Sequence, residues 1–61
     1  MNIDDLVAQA RASSRRVAKH ETGTNTVLVA VFRGPTGWRH DFYVNGKKIG
    51  YHAAQKILEK E

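Results

Sequence analysis

The residues with chemical reach in this chain are its histidines, its paired serines and its cations. His20, His40 and His52 are types that ligate metals or move protons, and Ser13-Ser14 are types that attack carbonyls. Neither set has the arrangement such chemistry needs. No acid stands where it would orient a serine nucleophile, and zinc sites without cysteine usually carry closely spaced histidines. No catalytic residue, metal or cofactor is therefore expected. Fixed positive charge is what the chain concentrates. Arg11, Arg15, Arg16 and Lys19 form a run free of acids, and Arg33, Arg39, His40, Lys47 and Lys48 add to it further on. The chemistry open to these residues is anion recognition, above all contacts to phosphates, which position a partner without reading its sequence.

Sixty-one residues make one domain, 1–61, with a thin core. Ten Lys and Arg against six Asp and Glu leave a charge of +4, and the clustering of that charge points to an acidic partner more than the total does. The chain has no cysteine, which suits a reducing compartment and rules out disulfides. No apolar run is long enough to span a bilayer, and Asp4 and Asp5 stand where a signal peptide would carry positive charge. A cytoplasmic protein with no membrane contact is expected.

The elements that must hold these cations follow from periodicity. Asn2 is an N-cap type, and Ile3, Leu6, Val7, Ala10, Ser14 and Val17 recur at helical spacing, unbroken until His20. On such a helix Arg11, Arg15 and Lys19 share one face. Glu21 to Asn25 reads as a polar linker. Two runs rich in β-branched and aromatic residues, 26–33 and 38–44, flank Gly34-Pro35-Thr36-Gly37 and read as a hairpin. Asn45-Gly46 is the dipeptide that best tolerates positive φ at both centres of a type I′ turn, with Lys47-Lys48-Ile49 returning as a short third strand. A second helix from Tyr51 places Tyr51, Ala54, Ile57 and Leu58 on one stripe, with Ala53 small enough to approach the sheet. The expected class is α+β, ordered α-β-β-β-α: a three-stranded antiparallel sheet with both helices on one face.

The strand 26–33 conflicts with its place in that meander. Val27, Val29 and Val31 point to one side and Leu28, Ala30 and Phe32 to the other, yet the meander leaves this strand at an edge.

Gly34-Pro35, His40, the run from Phe42 to Gly50, Ala53-Ala54 and Ile57-Leu58-Glu59 together resemble the double-stranded-RNA-binding domain, over roughly residues 34–59. The resemblance implies the same element order and recognition of duplex RNA by shape, across two minor grooves and the phosphates between them. It implies contact roles for the Gly34-Pro35 loop and His40. Two departures stand out: Thr36-Gly37-Trp38-Arg39 intervene between Gly-Pro and His, and Tyr51-His52-Ala53-Ala54 replace the family's lysine cluster, leaving Lys56. The likeness thus bears on topology more than on activity.

Two functions are expected from these features. The first is a small basic, non-enzymatic domain that contacts nucleic acid, a duplex in particular, through Arg11, Arg15, Arg16, Lys19, Arg33, Arg39, His40, Lys47 and Lys48. The second is a small regulator or inhibitor, of the kind phages and plasmids encode, that binds a larger protein. Its contact residues would be Leu28, Phe32, Trp38 and Tyr43, since aromatic and arginine side chains anchor interfaces and an uncovered apolar face invites a partner or a second copy of the chain.

Overall fold

The computed structural model describes residues 1–60. The order is α1 (Ile3–Ala12), β1 (Val17–Thr22), β2 (Asn25–Gly34), β3 (Gly37–Val44), β4 (Lys47–Ile49) and α2 (Tyr51–Glu59). The strands form one antiparallel sheet in sequence order, β1-β2-β3-β4. The fold is α+β with four strands, one more than the sequence reading placed.

The extra strand comes out of the expected long helix. Asn2 caps α1 as anticipated, its side chain accepting from the Asp4 amide at 2.8 Å. The helix then stops at Ala12, because Ser13 is already extended and its hydroxyl accepts from the Arg15 amide at 3.2 Å. Arg16 adopts the left-handed conformation at φ 59°, which turns the chain back along β2. From Val17 the period changes from helical to alternating, and β1 pairs with β2 from Val17 opposite Ala30 to Thr22 opposite Asn25. Arg11, Arg15 and Lys19 therefore do not share a helix face, and Glu21 and Thr22 belong to a strand, not a linker. Ser14 and Val17 are likewise not part of a helical stripe.

This resolves the conflict over residues 26–33. Their strand is β2, and it lies inside the sheet with β1 on one side and β3 on the other. Both helices pack on the face that carries Val27, Val29 and Val31, closing a core with Ile3, Leu6, Ala10, Phe42, Ala54 and Leu58. Burying a side chain such as Leu6 or Leu58 contributes roughly 1.5–3 kcal/mol each. Ala53 is exposed and does not approach the sheet. The opposite sheet face is uncovered, and Leu28, Ala30, Phe32 and Tyr43 lie on it.

The hairpin β2–β3 turns more tightly than a four-residue loop. Gly34 pairs with Gly37, so only Pro35 and Thr36 bridge the strands. Its tip, residues 32–39, is mostly exposed and reaches past the helices, consistent with a long axis of 35 Å against 19 Å for the other two. A ten-residue strand alone spans about 33 Å.

Candidate nucleic-acid interface

The end of the molecule that carries the β2–β3 tip gathers every arginine in the chain. Arg11 closes α1, Arg15 and Arg16 form the turn into β1, Arg33 ends β2, and Arg39 starts β3 opposite Phe32. Trp38 is the centre of the group. Its ring packs against the core from the helix-covered face. The guanidinium carbons of Arg16, Arg11 and Arg33 stand 5.2, 5.3 and 5.8 Å from the ring centroid. Each cation is attracted by the ring quadrupole, by about 0.5–1 kcal/mol at an exposed site. Trp38 is thus sheathed by arginines and is not a free anchor.

Arg16 is the most constrained of the three. Its amide donates to the Ser13 carbonyl at 3.1 Å, and its carbonyl accepts from the Val31 amide at 2.9 Å. Its guanidinium donates to the Arg11 carbonyl at the end of α1, where the helix dipole also favours a cation. A non-glycine residue at positive φ costs about 1–2 kcal/mol, and these contacts hold it there. Arg11 also reaches His40, with Nη2 to Nε2 at 2.8 Å. A guanidinium only donates, so Nε2 accepts and the ring proton sits on Nδ1.

Three cations therefore converge on one ring, and among the described residues no carboxylate is seen paired with Arg11, Arg16 or Arg33. Asp4 and Asp5 lie at the opposite end of α1, Glu21 at the far end of β1, and Glu59 borders Asn2 and Ile3. Asp41 is the exception near the tip, but it lies on the open sheet face between Arg39 at 3.9 Å and Lys48 at 3.6 Å. The charge is separated along the molecule, and a concentrated positive end raises the local concentration of anions.

Of the expected phosphate contacts, Arg11, Arg15, Arg16, Arg33, Arg39 and His40 come together. Lys19 and Lys48 do not join them; they flank Leu28 and Tyr43 in one row across the open face. Lys47 sits beside the Asn45-Gly46 turn at the other end of β3. Of the expected protein contacts, Leu28, Phe32 and Tyr43 share the open face, with Phe32 54% exposed, while Trp38 lies on the other side. Among the described residues, no group of His, Cys, Asp or Glu is placed to hold a metal ion, and no helix is long and apolar enough to cross a membrane.

A second feature was not legible from spacing. Between α1 and the start of α2, a slot of about 800 Å³ opens over Phe42. Tyr51 borders it, 5.7 Å from Phe42 ring to ring in an edge-on contact, with its hydroxyl donating to Asp4 Oδ1 at 3.2 Å. Partial burial, then the Asp4 carboxylate and the bond to it, push the Tyr51 phenol above its ordinary range. No periodicity links residues 4 and 51; only the fold brings them together.

Comparison of the chain with protein families, with curated proteins and with solved structures found no match.

Proposed function

We propose that the chain is a small non-enzymatic domain that grips the backbone of a nucleic-acid duplex with its arginine-rich end. The observation that carries this reading is the set of three guanidiniums held over Trp38, with no carboxylate among the described residues seen paired with them. Like charges gathered in this way repel one another, and an anion that bridges them relieves the repulsion. Phosphates along one strand offer such anions at regular intervals.

The protruding β2–β3 hairpin supports a duplex over a single strand. A two-stranded ribbon fits the major groove of B-form DNA. The tip would enter a groove with Arg33 and Arg39, while Arg11, Arg15 and Arg16 meet the flanking phosphates. The faces of Trp38 are occupied by guanidiniums, so it would not stack on an unpaired base. A cytoplasmic setting belongs to the same proposal. Backbone contacts of this kind give affinity with little sequence preference. The test is duplex affinity, DNA and RNA in turn, measured against salt in the parent chain and in arginine variants.

A second reading rests on a different observation, the uncovered sheet face with Phe32 54% and Val17 37% exposed. There the chain would dock on a larger protein as a regulator, through Leu28, Phe32 and Tyr43. Phe32→Glu separates the two readings: it should abolish protein capture and self-association while duplex affinity stays within a few-fold of the parent.

A further inference from the structure

The slot between the helices shares Arg11 and His40 with the arginine-rich end and adds Asp4, Phe42 and Tyr51, which that end does not use. Its floor includes the rim of the Phe42 ring, which is 7% exposed, and one wall is Ala8 and Ala12, whose small side chains leave the space open. At one end stand Arg11 and His40, 2.8 Å apart. At the other stand Asp4 and the Tyr51 hydroxyl, 3.2 Å apart. An apolar centre therefore lies between an anion-binding end and a hydrogen-bond-accepting end. Asp4 and Arg11 are seven residues apart on one helix, so the two ends are separated by about 10 Å. That is close to the reach of a single nucleotide from its phosphate to the far edge of its base.

We propose that this slot binds a nucleoside monophosphate, with the base between the Ala8 and Ala12 wall and Tyr51 and the phosphate on Arg11, which His40 holds in place. Arg11 spends one donor on His40 and keeps others for phosphate oxygens. At the far end the Tyr51 hydroxyl occupies Asp4 Oδ1, leaving the second carboxylate oxygen to accept from a base N–H. Guanine, with adjacent ring and amino N–H groups on that edge, fits best. The source of the nucleotide is either the phosphorylated end of a strand held by the arginines or a free nucleotide. The strand-end source rests on the nucleic-acid reading above; the slot chemistry does not.

The experiment is a titration of the isotope-labelled full chain, followed by NMR, with guanosine monophosphate, guanosine and inorganic phosphate. The expected result is saturable shifts at the Ala8 and Ala12 methyls and the Phe42, Tyr51 and His40 rings. Guanosine monophosphate should bind at least about tenfold more tightly than inorganic phosphate. Ala8→Leu and Ala12→Leu, made separately at exposed helical positions, should each fill the slot and remove the nucleotide shifts while the spectrum elsewhere keeps its dispersion. A parallel arm compares an oligonucleotide duplex with and without a terminal phosphate. Preference for the phosphorylated end marks the strand as the source. Equal binding, together with nucleotide shifts in the slot, marks the free nucleotide. Shifts confined to the arginine tip, or nucleotide binding unchanged in both leucine variants, would overturn the proposal even if duplex binding holds.

Discussion

Arg11 and His40 lie 29 residues apart in sequence and meet at 2.8 Å, guanidinium to imidazole Nε2. The contact ties the end of α1 to the middle of β3 and turns the Arg11 side chain toward Trp38. Because the arginine must donate, the His40 ring carries its proton on Nδ1. Long-range nitrogen–proton NMR of the neutral ring should show the Nδ1–H tautomer. A ring protonated on Nε2 would mean that the two side chains do not meet this way.

The second helix contributes to stability through one side chain above all. Leu58 is 1% exposed and faces Val27 and the rest of the core. Leu58→Ala should cost about 2–5 kcal/mol, a large share of what so small a domain has. Chemical denaturation of the two proteins checks it. A midpoint unchanged within error would put the helix on the wrong face.

The β3–β4 turn depends on positive φ at two successive residues, 51° at Asn45 and 85° at Gly46. Asn45 earns its place twice, since its side chain accepts from the Thr26 amide at 2.9 Å and donates to Asn25 at 3.0 Å. Gly46→Ala should destabilise by about 1–2 kcal/mol, and Asn45→Ala by roughly 1 kcal/mol or more. Equal melting temperatures for Gly46→Ala and the parent would contradict the type I′ geometry.

Tyr51 gives a signed pH dependence. Its phenol is raised in the folded chain above the value of about 10 expected when unfolded. Between those two values the folded chain keeps a proton that the unfolded chain releases, so stability falls as pH rises. The stability advantage of the parent over Tyr51→Phe should be fully present below about pH 10 and shrink above it. An advantage that grows with alkalinity would contradict the Tyr51–Asp4 contact.

The parts of the fold that could be read from sequence are those where one local rule acts alone. The hairpin 26–44, the Asn45-Gly46 turn and the Ala54–Leu58 stripe are of this kind. Residues 13–20 look helical in sequence because Ser14 and Val17 continue the spacing of Leu6 and Ala10, and that period masks the alternation that begins at Val17. Two signals could have corrected it. Adjacent serines compete with a helix for its own backbone, and a strand apolar on both faces belongs inside a sheet, which required one more strand beside β2. The arginines stand out in the sequence as a cluster of cations, but their gathering around Trp38 depends on where α1 stops, and that could not be placed until β1 was. The slot at Phe42 has no local signal at all, because its walls come from residues near both ends of the chain.

The most direct test of the arginine-rich end is the slope of log affinity for a duplex against log salt, between about 50 and 200 mM. The fluorescence of Trp38, the one tryptophan in the chain, provides the signal. If the arginines neutralise three or four phosphates, the slope on DNA should be about −3 to −4. Arg15→Glu with Arg33→Glu, both exposed and outside the hydrogen bonds that hold the site, should flatten the slope and weaken binding at low salt by at least about tenfold while the circular dichroism is unchanged. Duplex affinity that is absent at low salt, or that survives this double substitution with its slope intact, would contradict the claim that the arginine end is the nucleic-acid interface.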